Sequence, residues 1–167
     1  TTKGSRLYRD NIVDFDDVLV DRLKRSGAIL VGKTNTPEFG HRGTTENLLS
    51  PPCSNPWDIS RTSGGSSGGS AVAVASGLAT IAQGDDGGGS IRIPASFCGV
   101  FGMKPSFGLV PRQYRSGGGW NFISQTGSLG RTVADAALLL QVMGGPHKED
   151  PRTINKISPR FFDDLSP

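Results

Sequence analysis

Two glycine-rich loops that also carry serines are the parts of this sequence best suited to chemistry. The first loop reads TSGGSSGGS at 62–70, and the second reads GDDGGGS at 84–90. Nine of the 24 glycines lie between Gly64 and Ser90, a density that suits backbone with positive φ or backbone that another group approaches closely. We therefore predict that the two loops form two walls of one site.

Three kinds of chemistry suit such loops. Glycine loops before helices bind phosphate through backbone N–H groups, but neither loop has the spacing of a P-loop or of a dinucleotide-binding fold. Asp85 and Asp86 are candidate metal ligands, but adjacent carboxylates on a strand point to opposite faces and no histidine is near in sequence. Acyl transfer needs a serine nucleophile and consecutive N–H groups for the oxyanion, which 87–90 supply. We favour acyl transfer and expect neither a metal nor a cofactor.

Three polar residues in the loop at 32–47 are further candidates. Lys33 follows a predicted strand, which is where open α/β sheets bind ligands. Glu38 and His41 have the chemistry of an acid–base pair. A lysine in such a loop more often binds loop carbonyls, and a single histidine there more often gives structural support. We favour the structural interpretation for Lys33 and for His41.

The elements that must hold these loops alternate between helix and strand. Apolar residues at helical spacing predict helices at 14–26 and 132–143, and the small apolar residues after the first loop predict a helix at 70–76. Continuous apolar runs at 28–32 and 78–83 predict strands buried on both faces. This order of elements predicts an α/β architecture built in layers.

The last predicted helix begins with a capping signal. Thr132 is followed three residues later by Asp135, which is the spacing of a capping box. The buried stripe that we expect on this helix consists of Val133, Ala136, Ala137, Leu140 and Met143. The helix therefore packs one face against the core.

The composition excludes several classes of protein. With 35% hydrophobic and 20% charged residues, the 167-residue chain resembles an ordinary soluble globular domain. The net charge is +3, but the basic residues are scattered, so nucleic-acid binding has little support. No apolar run approaches the roughly 20 residues that cross a bilayer, and Cys53 and Cys98 are too isolated for a disulfide framework or a zinc site. We expect a cytoplasmic protein with free thiols that binds neither nucleic acid nor membrane.

Six stretches of the sequence together resemble the amidase signature family of serine hydrolases, and they cover most of the chain. They are GKTNTPEFG at 32–40, NPWD at 55–58, GGSSGGS at 64–70, GGGSIRIP at 87–94, FCGVFGMKPSFG at 97–108 and RTVADAALLL at 131–140. The resemblance implies a three-layer α/β/α amidase signature fold with a mixed central sheet, incomplete in this chain. It also implies hydrolysis of carboxylic acid amides through a seryl acyl-enzyme.

The resemblance implies roles for individual residues. Ser90 is the nucleophile by position, and Ser66, preceded by a cis peptide bond, is the serine that passes the proton of Ser90 to a lysine. Backbone N–H groups of the second loop stabilise the oxyanion, and three residues support the site. We expect Asp86 to accept N–H groups of the turn, and Arg92 to make a buried ion pair or carbonyl contacts. The oxyanion donors are Gly87, Gly88, Gly89 and Ser90, and the supporting residues are Ser67, Asp86 and Arg92.

The sequence departs from the family pattern at the base of this triad. The catalytic lysine of the family lies in a separate motif, further upstream than the 65 residues that precede Ser66 here, and Lys33 belongs to a different segment. We expect residues 1–167 to be the central part of one longer amidase domain, without the lysine-bearing and C-terminal parts, with a loop at 145–167 and with little activity alone. There are two smaller departures. The family more often has Ser or Thr at the position of Asp85, and Thr or Ile at the position of Gly87.

The sequence leaves two alternative functions open. The A subunit of a glutamyl-tRNA amidotransferase typically has a glutamine at the position of Ile93, and a non-catalytic truncated relic would lack the lysine altogether. The partners that we expect are a small-molecule amide substrate and a second copy of the chain in a homodimer. The aromatic residues Tyr114, Trp120 and Phe122 either border the acyl pocket or anchor a surface loop.

Overall fold

A computed structural model of the chain describes residues 1–112, 122–153 and 158–165. Within them lie four α-helices and three β-strands, together with several one-turn 3-10 helices. In chain order the elements are α1 (Val18–Arg25), α2 (Gly68–Ala75), β1 (Ile81–Asp86), α3 (Arg92–Cys98), β2 (Phe101–Met103), β3 (Gln125–Gly130) and α4 (Val133–Met143).

The three strands form one sheet with the order β1-β3-β2. Strand β3 lies in the centre, is buried along its whole length, and pairs antiparallel with both neighbours. The register of β1 runs from Ile81 opposite Gly130 to Asp86 opposite Gln125. The mixed pairing expected of the sheet is not found among these three strands.

Two hydrophobic clusters lie on the two faces of the sheet. Since successive residues of a strand face opposite sides, Ile81 contacts one cluster and Ala82 the other. The first cluster joins α1 and α4 through Val18, Leu19, Val110, Leu139, Leu140 and Met143. The second joins α2, α3 and the sheet through Ala71, Val74, Ile91, Ala95, Cys98 and Leu129. The arrangement is a three-layer α/β/α sandwich, which confirms the predicted fold class.

The helices found agree in part with those predicted. Helix α2 lies where the sequence placed it, and α4 has the full capping box, with the Thr132 hydroxyl accepting from the Asp135 N–H at 3.1 Å. Helix α1 starts four residues later than predicted because the Asp17 carboxylate accepts the Leu19 N–H at 3.1 Å and caps the first turn. On α4, Leu139 is buried, whereas Val133 is 50% exposed, so the predicted stripe is wrong at Val133.

The strands were harder to predict. None of α3, β2 and β3 was predicted from the sequence, and β1 was predicted three residues too early. Strand β1 continues through Asp85 and Asp86 because these residues pair with Thr126 and Gln125 of β3, some 40 residues away in sequence. Strand β3 reads QTGSLG and lacks the run of branched apolar residues that marks a buried strand.

The buried strand predicted at 28–32 is wrong. Ile29 is 88% exposed and Val31 is 77% exposed, and this segment has no sheet partner in the described chain. The outer edge of β1 is already bound by hydroxyls of α2 and of the loop before it. The Ser70 hydroxyl donates to the Gln83 carbonyl at 2.8 Å, and the Ser67 hydroxyl donates to the Asp85 carbonyl at 3.3 Å. Within the described residues, the apolar run therefore does not extend the sheet at the β1 edge.

The segment predicted as a loop at 145–167 is tied to the core. It contains two one-turn 3-10 helices, Pro151–Thr153 and Asp163–Leu165. Asp150 is completely buried, pairs with Arg152 at 2.6 Å, and accepts the Arg112 N–H at 2.9 Å. None of the helices in the described ranges is both long and apolar enough to cross a membrane.

Arg22 of α1 binds the C-terminal end of α4. Its guanidinium donates to the carbonyl oxygens of Met143 at 2.6 Å and Pro146 at 2.7 Å, and also to those of Gly144 and Gly145. The last carbonyls of a helix have no partner within the helix and carry partial negative charge. Arg22 supplies both the donors and the positive charge, and it joins the two helices of one layer.

Replacing Arg22 by alanine is expected to lower the free energy of unfolding by about 1.5–3 kcal/mol, since charged hydrogen bonds to carbonyls are lost. The measurement is urea denaturation of the whole protein that carries this sequence. Arg25→Ala is the matched control on the same helix, because Arg25 is exposed and its ion pair among the described residues is with Asp21. Its cost is expected to be about 0.5 kcal/mol or less. Equal costs for the two variants would contradict this role of Arg22.

Candidate active site

The second glycine loop is folded around the carboxylate of Asp86. Asp86 is completely buried at the end of β1. Arg92 donates to it from Nε and Nη2, both at 2.9 Å. Backbone N–H groups of Gly89, Ile91 and Arg92 donate to it at 2.7, 3.2 and 3.3 Å. The carboxylate thereby fixes the turn that carries Ser90.

These contacts keep Asp86 charged. Burial alone raises the pKa of Asp86, but the hydrogen bonds from Arg92 and from the three backbone N–H groups lower the pKa further than burial raises it, to about 2 from an ordinary value of 3.8. The two partners of this ion pair differ in burial: the Arg92 side chain is 58% exposed, whereas the Asp86 side chain is fully buried. The contacts of Asp86 match those expected from the sequence, whereas the ion pair expected to be buried is buried only at Asp86.

The first glycine loop is held by the segment 34–47. The peptide bond between Gly65 and Ser66 is cis. The Thr36 hydroxyl donates to the Ser66 carbonyl at 3.2 Å, and the Thr45 hydroxyl donates to the Gly64 carbonyl at 2.8 Å. A Cβ atom on Gly65 would lie 2.6 Å from the Thr44 carbonyl oxygen, so only glycine permits this close approach.

Ser67 joins the two loops. Its N–H donates to the carbonyl of Ser90 at 3.1 Å. Its hydroxyl donates to the Asp85 carbonyl at 3.3 Å and accepts the Asp85 N–H at 3.2 Å, as a neighbouring strand would. The structure thus places Ser66 and Ser90 on adjoining loops, with Ser66 8% exposed and Ser90 half-buried. The hydroxyls of Ser66 and Ser90 bond to no group in the described ranges.

The backbone donors of the second loop differ in one respect from the prediction. The N–H groups of Gly87, Gly88 and Ser90 have no acceptor among the residues that the structure describes. The Gly89 N–H, in contrast, is bound to Asp86 Oδ1 at 2.7 Å. Gly89 instead contributes its backbone conformation, with φ of +116°, which favours glycine. Of the four predicted donors, the N–H groups of Gly87, Gly88 and Ser90 therefore stay candidates, and that of Gly89 does not.

The remaining candidates from the sequence are Lys33, Glu38 and His41, on the segment 32–47, and Asp85, near the start of the second loop. The exposed Lys33 donates from Nζ to the Thr1 hydroxyl at 3.2 Å, in keeping with a structural role. Glu38 and His41 are exposed as well. Asp85 faces away from Asp86 and pairs with Arg112 at 3.3 Å. No cluster of three or more His, Cys, Asp or Glu side chains suited to a metal occurs in the described part of the chain.

Some residues that shape the site gave no clear signal in the sequence. Thr36 and Thr45 lie in a polar loop with no periodicity, and only the folded chain shows that their hydroxyls bind the first glycine loop. Tyr114 and Trp120 lie outside the described residues, and Phe122 is 69% exposed.

Comparison with known proteins assigns the family. Residues 1–165 match the family described as Amidase. An acylamidase of Rhodococcus erythropolis is 45% identical over 163 residues, covering 98% of this chain and 34% of the acylamidase. The A subunit of the glutamyl-tRNA(Gln) amidotransferase of Trichodesmium erythraeum is 46% identical over 167 residues, covering 100% of this chain and 34% of that protein.

A solved structure agrees with these relatives. The crystal structure of a bacterial aryl acylamidase of the amidase signature enzymes superposes with a TM-score of 0.87 at 36% identity, covering 96% of this chain and 33% of that one. The chain spans about a third of the length of the relatives that it matches. It belongs to the Amidase family, the family of the amidase signature enzymes.

Replacing Asp86 by asparagine is expected to lower the free energy of unfolding by roughly 2–3 kcal/mol at neutral pH, because charged hydrogen bonds to a buried carboxylate are lost. Since folding depresses the pKa of Asp86, its stabilisation is complete above the unfolded value of 3.8 and is lost as the pH falls towards about 2. In urea denaturation, the difference in the free energy of unfolding between the parent protein and the variant should shrink as the pH falls from 3.8 towards about 2. Asp10→Asn, an exposed carboxylate, is the control; a pH-independent Asp86 effect would contradict the account.

Proposed function

We propose that the protein containing this chain hydrolyses carboxylic acid amides through an acyl-enzyme on Ser90. The observation that carries the proposal is the hydrogen bond from the Ser67 N–H to the Ser90 carbonyl at 3.1 Å, which holds the Ser66 loop against the turn of Ser90. The membership of the Amidase family supports amide hydrolysis as the reaction class. The half-buried position of Ser90 leaves its hydroxyl accessible to a small substrate.

The chemistry proceeds in two stages. Ser90 Oγ attacks the amide carbonyl carbon, and its proton moves to Ser66, which passes its own proton to a base. The oxyanion of the tetrahedral intermediate accepts hydrogen bonds from the N–H groups of Gly87, Gly88 and Ser90, each worth roughly 10²–10³ in rate. The amine leaves with a proton, and water then hydrolyses the ester on Ser90. These two steps, acylation of Ser90 and hydrolysis of the ester, are those of nucleophilic acyl transfer.

The base is proposed to come from outside residues 1–167. Lys33 is bonded to Thr1, and Lys104 donates to the Pro105 carbonyl at 2.7 Å. Neither contact directs a lysine to Ser66. A lysine from the remaining polypeptide, kept neutral by burial, completes a Ser–cis-Ser–Lys triad. We further propose that the substrate has a linear C–N amide bond, as suggested by the acylamidase relatives. The cytoplasmic location and the homodimer stay predictions from the sequence.

A second candidate is the A subunit of a glutamyl-tRNA amidotransferase. The observation in its favour is the 46% identity to such a protein over the whole of this chain. Against it stands Ile93, at a position where that protein typically has glutamine. The two functions differ in their substrate: the second predicts release of ammonia from glutamine, and the first predicts hydrolysis of simple amides without a partner protein.

Ser90→Ala is expected to lower kcat for amide hydrolysis by about 10⁴–10⁶-fold and to abolish labelling by a fluorophosphonate. Ser66→Ala, which removes the proton relay, is expected to lower kcat by about 10²–10⁴-fold. Ser76→Ala is the control, since Ser76 is an exposed serine at the end of α2. The measurements are turnover of simple amides and of glutamine by the whole protein, together with labelling.

Continued labelling of Ser90→Ala would overturn the assignment of the nucleophile. Ammonia release from glutamine, with no turnover of simple amides, would favour the amidotransferase function. A whole protein that is inactive on every amide and unreactive with the fluorophosphonate would favour a non-catalytic relic.

A further inference from the structure

Asp85 lies where several parts of the fold meet beside the site. It is the penultimate residue of β1 and pairs with Thr126 of β3. Since cross-strand partners project from the same face of a sheet, the Thr126 hydroxyl reaches the Asp85 carboxylate and donates to it. Asp86 projects from the opposite face, where it holds the turn of Ser90. The two neighbouring carboxylates therefore have different partners.

The second partner of the Asp85 carboxylate is Arg112, which is itself fixed at two further points. Its Nη2 lies 3.3 Å from Asp85 Oδ1, and its Nη1 donates to the Ser124 carbonyl at 3.0 Å. Its backbone N–H donates to the completely buried Asp150 at 2.9 Å. An exposed ion pair contributes little because two flexible side chains must be ordered. The Arg112 side chain is 24% exposed and is held by other groups, so its pair with Asp85 avoids much of that cost.

The main chain of Asp85 binds the first glycine loop through Ser67. The Ser67 hydroxyl accepts the Asp85 N–H at 3.2 Å and donates to the Asp85 carbonyl at 3.3 Å. The Ser67 N–H in turn donates to the Ser90 carbonyl at 3.1 Å. Because Ser66 precedes Ser67 in the chain, a displacement of Ser67 also displaces Ser66. Asp85 thus has its side chain bound to β3 and Arg112, and its main chain bound at the point where the two loops adjoin.

We propose that Asp85 is a positioning residue that keeps Ser66 and Ser90 aligned for proton transfer. The inference rests on the proposed function and extends it to a carboxylate that takes part in no chemical step. The Asp85 side chain fixes the end of β1 against β3 and Arg112, and Ser67 passes that position on to both loops. A displacement of a reacting group by about 1 Å can cost about 10²-fold in rate. The Asp85 side chain therefore affects kcat without contacting the substrate.

The test compares two substitutions in the whole protein that carries this sequence. Asp85→Ala removes the contacts with both Thr126 and Arg112. Asp85→Asn keeps an oxygen that accepts from Thr126 and loses the charge that pairs with Arg112. Because it keeps the shape of the side chain, Asp85→Asn also carries the test if Asp85→Ala does not fold. Asp21→Asn is the matched control, since Asp21 is 47% exposed, against 43% for Asp85, and pairs with Arg25 at 3.0 Å on α1.

Fluorophosphonate labelling separates alignment from loss of the fold. Its final extent counts the folded sites, so that kcat on a simple amide is expressed per site, and its rate constant reports the reactivity of Ser90. Asp85→Ala is expected to lower kcat per site and the labelling rate constant together by about 10–100-fold, with KM within about two-fold of the parent value. Asp85→Asn is expected to lower both by about two- to five-fold, since it loses the ion pair alone. Asp21→Asn should leave all three quantities unchanged.

A lower extent of labelling, with kcat per site and the labelling rate constant at their parent values, would show that Asp85 serves only the fold and would overturn the proposal. A rise in KM with kcat per site unchanged would overturn it as well, because Asp85 would then act on substrate binding. Both results would leave amide hydrolysis through Ser90 intact. A parent protein that hydrolyses no amide and is not labelled would overturn the proposed function, and the inference about Asp85 would fall with it.

Discussion

The completely buried carboxylate of Asp86 is charged, and five N–H donors make that charge tolerable. Two belong to the Arg92 guanidinium and three to the backbone of the turn that follows β1. A buried charge without such partners is strongly unfavourable, so these donors favour the conformation in which the turn surrounds the carboxylate. The position of Ser90, and the direction of the N–H groups around it, follow from this constraint.

Hydroxyl groups then connect that turn to the rest of the site. Ser67 binds both the edge of β1 and the carbonyl of Ser90, while Thr36 and Thr45 bind the loop that carries Ser66. Glycine at position 84 is equally necessary, because a Cβ atom there would lie 2.9 Å from both the Ser67 hydroxyl and the Ile91 side chain. The first loop can therefore lie this close to β1 only because residue 84 has no side chain.

The sequence predicted local features well and nonlocal ones poorly. The capping box of α4 and the contacts of Asp86 follow from residues close together in the chain, so their spacing was informative. Strand β3 exists because β1 and β2 pair with it, which its own composition does not reveal. The error at 28–32 has the same origin, since a run of apolar residues cannot show whether a partner strand is present. The family resemblance pointed to Ser66 and Ser90, whereas the use of the Gly89 N–H by Asp86 required the folded turn.

The most direct test of the account is to trap the acyl-enzyme. The whole protein is quenched in acid during turnover of an amide substrate, and its peptides are analysed by mass spectrometry. The account predicts the mass of the acyl group on the peptide that contains Ser90, at the hydroxyl of that residue, and its loss after the substrate is consumed. Turnover with the acyl group on another residue, or with no acyl group on the protein at any time during turnover, would contradict it.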